Sequence, residues 1–374
     1  MKKLCFLLIL PFVVGCVSRQ QQNISTIDIN IHNAKQAIHT SSFIKDVEII
    51  SLETKDECLI GKIKCISLKN NNIYIADKRA LYKFDNKGRY VAKIKKNGMG
   101  PDEYINISWF DIDSLDNAYI LSYDDECIYK YKWDGNLIDK IEIGFLGKQI
   151  HLMDNNEIIA YGKPQEGSPK IRKIPYSELK NEELLTINPK IAKYLYFETV
   201  IPAFFQADSC IFFCEPYNDT IYSISNNTVN YKYVINYSGL NIPQKFMLKK
   251  HKDIREFNEK LNKHNYIRNF GFFAETSNYL INEFKQTGKL YFALINKDNG
   301  ECIVANEVRD DVLLANFRIY PRCVDKQKII ANFDVEDLKE HTDGLDEETK
   351  KRIMDLIEYS GADANPILYF ATIK

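Results

Sequence analysis

Residues 71–104, NNIYIADKRALYKFDNKGRYVAKIKKNGMGPDEY, decide how the rest of the chain is read. Ile73, Tyr74 and Ile75 lie in a run of β-formers that the polar break Asp77-Lys78-Arg79 ends. Leu81, Tyr82 and Phe84 make a second run, Asp85-Asn86-Lys87-Gly88 supplies a turn, and Tyr90 to Ile94 returns as a third. Three short strands joined by tight polar turns form a meander. A meander cannot bury both its faces alone, so it must stack on copies of itself.

The copies are present. LYKFDNKGRYVAKI (Leu81 to Ile94) aligns without a gap on IYKYKWDGNLIDKI (Ile128 to Ile141), 47 residues further on. Tyr82/Tyr129, Lys83/Lys130, Gly88/Gly135, Lys93/Lys140 and Ile94/Ile141 coincide, and TIYSI (Thr220 to Ile224) echoes the same strand at close to twice that offset. Repeats of about 40–50 residues are the propeller class. The competing reading is an ordinary antiparallel β domain with chance Tyr/Lys similarity, which would not explain why period, strand type and glycine turn agree. The expected fold is all-β: a six-bladed β-propeller with helical insertions. Six follows from roughly 320 residues beyond the N-terminal tether, less the insertions, divided by the repeat length.

SSFIKDVEIISLET (Ser41 to Thr54), the segment GMGPDEY (Gly98 to Tyr104) and the closing DANPIL (Asp363 to Leu368) add a resemblance. With them the chain resembles the six-bladed β-propeller lipoproteins of the Bacteroidetes cell envelope, which are similar to NHL-repeat propellers. The similarity runs from about Ser41 to the C-terminus and is thin from Pro164 to Ser209. That family has no settled activity, so the resemblance implies fold and compartment more than chemistry.

Residues 1–16 read as a lipoprotein signal peptide. Lys2-Lys3 is a charged start, and Leu4 to Val14 is an apolar stretch of signal length, too short for the roughly 20 residues that span a bilayer. Val13-Val14-Gly15-Cys16 matches a lipobox, so Cys16 is the expected lipid attachment and the membrane an expected partner; a plain signal peptide with a chance cysteine is the alternative. Residues 17–40 read as a polar tether and N-terminal strand, and 41–374 as the propeller. Val17 to Asn23 has no acidic cluster, and no Asp follows Cys16, which favours the outer membrane.

Of 374 residues 45% are hydrophobic, ample for one continuous core, and 50 Lys+Arg balance 51 Asp+Glu with no basic tract that would suit nucleic acid. Beyond Cys5 and Cys16 stand Cys58, Cys65, Cys127, Cys210, Cys214, Cys302 and Cys323. Their spacing fits no zinc pattern, so most are expected to be buried thiols, with one disulfide open in an oxidising compartment. Ile24 to Ile31 and Asp46 to Glu53 read as strands, the second beginning the propeller or closing it against the final strand Pro366 to Ile373. Met247, Ile254, Phe257 and Leu261 form a helical stripe within Gln244 to Asn265. Asp346 to Ser360 reads as a second helix, capped by Asp346.

Enzyme constellations are missing from the sequence: the six histidines are scattered, and no GxSxG or Walker loop occurs. Asp111, Asp113, Asp116 and Asn117 superficially suggest a calcium loop but lack its glycine turn and closing Glu. They read instead as strand carboxylates, with Asp111 and Asp113 sharing one side of a strand that faces solvent or a channel. No catalytic, cofactor or metal residue is assigned. Blade geometry gathers Arg79, Glu103, Tyr104, Trp109, Asp124 and Tyr217 around one loop-rich rim, where aromatics and charges would hold a protein or glycan. For Glu103 and Tyr104 a structural role competes, Glu103 bonding loop backbone and Tyr104 plugging between blades. The expected function is a non-catalytic binding or scaffolding propeller of the envelope. The alternative is a calcium-dependent, lactonase-like hydrolase.

Overall fold

Three strands precede the first repeat: Ser25–Asp28 (β1), Lys35–His39 (β2) and Ile44–Ser51 (β3). The computed structural model describes residues 24–153, 157–162, 169–174, 182–186, 204–206, 210–225, 228–313, 317–325, 327–340, 342, 345–360 and 364–374. The expected signal segment, Cys16 and most of Pro164 to Ser209 lie outside those residues. The opening meander gains a fourth strand: Cys65–Lys69 (β4), Asn72–Ala76 (β5), Leu81–Asp85 (β6) and Tyr90–Ile94 (β7) pair antiparallel in that order. Its copy is Trp109–Ile112 (β8), Ala118–Ser122 (β9), Cys127–Tyr131 (β10) and Leu137–Glu142 (β11). The repeated glycines are there for conformation. Gly88 and Gly135 have φ of 79° and 85°, and a Cβ on Gly88 would sit 2.2 Å from the Ser51 carbonyl oxygen.

The third sheet holds Gly147–Leu152 (β12), Ile158–Gly162 (β13), Pro169–Ile174 (β14) and Glu182–Thr186 (β15). The fourth holds Phe204–Gln206 (β16), Ile211–Phe213 (β17), Thr220–Ser225 (β18) and Thr228–Asn236 (β19). Ile267–Glu275 (β20), Tyr279–Gln286 (β21), Lys289–Asn296 (β22) and Cys302–Asp310 (β23) make the fifth, with Phe317–Ile319 (β24) paired to β23. In the sixth, Cys323–Asp325 (β25), Lys328–Phe333 (β26) and Ile367–Ile373 (β27) pair in order, and β3 completes it.

Each sheet packs face to face on the next. Tyr74 and Leu81 of the first meet Phe110 and Tyr129 of the second. Leu121 meets Ile150, Tyr161 meets Phe213, and Phe212, Phe273 and Tyr369 share one core, while Leu368 returns to Ile66 and Tyr82. The fold is an all-β β-propeller with few helices. The expectation of six blades needs correction: the propeller has five blades around its axis. First strands from five sheets (β4, β8, β12, β16 and β25) line the axial cavity, and no described residue of β20 joins them. The β20–β21 register breaks between Asn269 and Phe273, and Asn269 turns toward the fourth sheet, donating to Cys214 Sγ at 3.1 Å and the Asn218 carbonyl at 3.2 Å.

The N-terminal segment is a belt. β1 adds parallel to β19, β2 adds parallel to β23, and β3 pairs antiparallel with β27, joining the chain's start to its end as expected. Three outer edges that would otherwise present unpaired backbone are thereby covered. A buried latch fixes the belt: Asp310, fully buried, accepts from Thr40 Oγ1 at 2.7 Å and the Tyr369 hydroxyl at 2.9 Å. Beside it, Asp311 accepts from the Ser41 amide at 2.7 Å.

Both helical stretches form. The first divides into Gln244–Met247 (α1) and Ile254–Lys263 (α2), with Asp253 capping α2 by accepting from the Glu256 amide at 2.9 Å. The second has a short Val335–Glu340 (α3) and then Glu347–Ser360 (α4), capped by Asp346 through the Thr349 amide at 2.9 Å. All seven described cysteines are free thiols.

Candidate functional site in the axial cavity

The strands that reach the axis enclose a cavity of about 110 Å³. Each begins at the face carrying the long loops, so the first and last residues of a strand lie at opposite ends of the cavity. Cys65, Trp109 and Cys323 begin β4, β8 and β25 and wall one end. Burial pushes both thiols up to about 12, which keeps them protonated and unreactive.

The opposite end is charged. Lys69 and Asp325 end β4 and β25, and Asp111 and His151 stand one residue before the ends of β8 and β12. Asp111 is the hub. Its Oδ1 accepts from Lys69 Nζ at 2.9 Å and from its neighbour's amide, Ile112, at 2.7 Å. Its Oδ2 accepts from the Leu152 amide at 2.8 Å and lies 3.4 Å from His151 Nδ1. Between the two ends Gln149 acts as a backbone mimic, accepting from the Phe204 amide at 2.9 Å and donating to the Phe204 carbonyl at 3.2 Å. That pair of bonds stitches the third sheet to the fourth.

Of the carboxylates read from sequence, only Asp111 reaches the cavity. Asp113 falls just past the end of β8, so strand alternation no longer aims it; it accepts from the Asn117 amide at 2.7 Å and pairs with Lys130 at 3.3 Å. Burial alone would raise its pKa, but the hydrogen bonds from Asn117 and Lys130 hold it below the usual range. Asp116 latches sheet one to sheet two through the Tyr74 hydroxyl at 2.5 Å and through Lys83. Among the described residues, no three His, Cys, Asp or Glu converge as a metal site.

The expected rim disperses. Tyr104 is fully buried between the first two sheets, its hydroxyl donating to the Arg79 carbonyl at 2.9 Å and its ring edge-on to Tyr129 and Tyr131. Glu103 accepts from the Gly100 amide at 2.9 Å and so closes the GMGP loop. Tyr217 is buried under α2, edge-on to Phe257, with Arg268 donating to its hydroxyl at 2.7 Å. Trp109 faces the cavity instead of the rim. Arg79 and Asp124 stay exposed on the loop face. Lys69 and Asp325 went unseen in the sequence because nothing local marks a strand end that meets others at an axis.

A family model described as a domain of unknown function, DUF4934, matches residues 24–372. The chain belongs to the DUF4934 family. No curated protein matches it. A Bacteroides fragilis protein described as exported is similar in structure, with a TM-score of 0.74 at 18% identity over 94% of this chain and 100% of that one. A DUF4221 family member from Bacteroides vulgatus is more distant: TM-score 0.49, 11% identity, 88% of this chain and 97% of that one. So is a virginiamycin B lyase from Staphylococcus aureus, with a TM-score of 0.44 at 10% identity over 88% of this chain and 99% of that one.

Near the α1–α2 insertion of this DUF4934 propeller, burial pushes Asp219 up from 3.8 to about 6, although Asn241 donates to it at 2.7 Å. Between those two values the folded chain holds more proton on this group than the unfolded chain does. This group therefore costs stability as pH rises from about 4 to about 6. Thermal melts of Asp219→Asn against the parent should show the variant gaining ground across that window and holding a constant lead above pH 7. A difference that does not change with pH would contradict the assignment.

Proposed function

We propose that this chain is an exported binding propeller of the bacterial cell envelope that engages a protein or glycan ligand without turning it over. The observation that carries the reading is the axial cavity. Trp109 offers an aromatic wall, Gln149 fixes the frame, and Lys69 and His151 are held apart by Asp111 at a charged mouth. About 110 Å³ seats several waters or one end group, such as a terminal sugar or a peptide end, and leaves the rest of the ligand outside. Asp111 is poorly placed to act as a base, because both its oxygens already accept backbone amides and one also accepts Lys69.

Compartment rests on the sequence and the company it keeps. The apolar start and the cysteine at position 16 fit an acylated anchor, on the outer membrane in this reading, and the structurally similar B. fragilis protein is described as exported. Thermal-shift screening of the soluble chain against envelope glycans and peptides should find a stabilising ligand. Trp109→Ala should abolish that shift, with the ligand recovered intact. Conversion of the ligand would refute the non-catalytic reading. For the anchor, clickable fatty acid should label the parent in cells; equal labelling of Cys16→Ala would refute it.

A further inference from the structure

The two faces of the propeller differ. Both insertions lie on the loop face: α1 and α2 between β19 and β20, and α3 and α4 between β26 and β27. Their charges are opposite. Residues 244–265 carry seven Lys or Arg against three Asp or Glu, whereas residues 334–360 carry ten Asp or Glu against four Lys or Arg. Lys249, Lys250, Lys252 and Arg255 are exposed on the first insertion, as are Glu347, Glu348, Asp355 and Glu358 on the second. The insertions pack into separate cores. Phe246, Phe257 and Leu261 bury against Tyr217, while Leu338, Ile353 and Ile357 join the sheets of the last repeats.

Apolar side chains gather on the same face. Leu59, Met99, Ile105, Leu248 and Met354 are 47, 95, 47, 38 and 45% exposed there. Scattered exposed apolar residues need no explanation, but one face that combines them with two opposed charge fields has the make-up of an interface: apolar contact within a charged rim.

We propose that the loop face docks a second copy of this chain. A two-fold axis lying in that face and bisecting the two insertions turns each insertion onto the position of the other. The basic helices of one copy then meet the acidic helices of its partner, twice. A two-fold axis in the same face that runs through one insertion would instead set that insertion against its own copy, like charge on like, and is disfavoured. The axial cavity keeps its charged mouth on the opposite face, so pairing and ligand entry do not compete.

Charge reversal tests this directly. The full-length protein in detergent, studied by sedimentation velocity, should be dimeric at low salt and dissociate toward monomer at about 0.5 M salt, where screening acts within a few ångströms. A triple variant Lys249→Glu, Lys250→Glu, Lys252→Glu has two acidic insertions, and a quadruple variant Glu347→Lys, Glu348→Lys, Asp355→Lys, Glu358→Lys has two basic ones. Each alone should bind itself at least about tenfold more weakly than the parent, and an equal mixture should form a heterodimer tighter than either variant's self-association. Circular dichroism and thermal melting establish that both variants fold. A parent that stays monomeric at low salt, a dimer indifferent to either reversal, or folded variants that fail to pair when mixed would each overturn the proposal.

Discussion

Replacing Tyr104 by alanine should cost about 3–5 kcal/mol of folding stability, the usual result of emptying a fully buried aromatic site. Chemical denaturation is the measurement. The ring fills the seam between the first two sheets, edge-on to Tyr129 at 6.2 Å and Tyr131 at 6.1 Å. Its hydroxyl also holds loop backbone, accepting from the Lys96 amide at 3.2 Å and donating to the Arg79 carbonyl at 2.9 Å. Tyr104→Phe keeps the ring and strands those backbone groups, so it should lose about 1–3 kcal/mol. A near-neutral Tyr104→Ala would mean that Tyr104 lies at the surface, as a ligand contact would require.

Removing residues 1–40 should have the larger effect. The belt buries Ile27, Ile29, Ile31 and Ile38 at 7, 0, 8 and 4% exposure. At about 1.5–3 kcal/mol per buried side chain, an upper estimate, their sum is comparable with the roughly 5–15 kcal/mol that separates a folded domain from its unfolded chain. The deletion also uncovers the outer edges of β19 and β23 and removes Thr40 from Asp310. The expected outcome is insoluble or unfolded protein, whereas removal of residues 1–23 alone should leave the melting temperature unchanged. A soluble, cooperatively melting chain without residues 1–40 would show that the belt is dispensable.

What was legible in the sequence were features set by neighbours along the chain. Tyr82 and Tyr129 announce a repeat because each stacked sheet imposes the same alternation, and Gly88 and Gly135 announce its turns because both need positive φ. Asp346 marked a helix start because a cap bonds only a few residues ahead. What was not legible depends on closure of the ring. β1 read as a strand and β2 did not, and that both run parallel to β19 and β23, roughly two hundred and more residues away, is fixed by the belt's path around the outside. Asp113 was read as sharing the orientation of Asp111, yet the strand ends between them and the turn takes its carboxylate. Tyr217 looked like a rim aromatic because tyrosine in a polar loop often is one; the helix packed over it comes later in the chain.

Titration calorimetry tests most directly whether the axial cavity is the ligand seat. The ligand that most raises the parent's melting temperature would be titrated into the parent, Lys69→Met and Arg79→Ala. Lys69 stands at the charged mouth of the cavity, and Arg79 is exposed on the loop face. The expected result is binding at least about tenfold weaker, or about 1.4 kcal/mol, for Lys69→Met and unchanged for Arg79→Ala. Binding that survives Lys69→Met and is lost with Arg79→Ala would place the ligand on the loop rim and contradict the cavity.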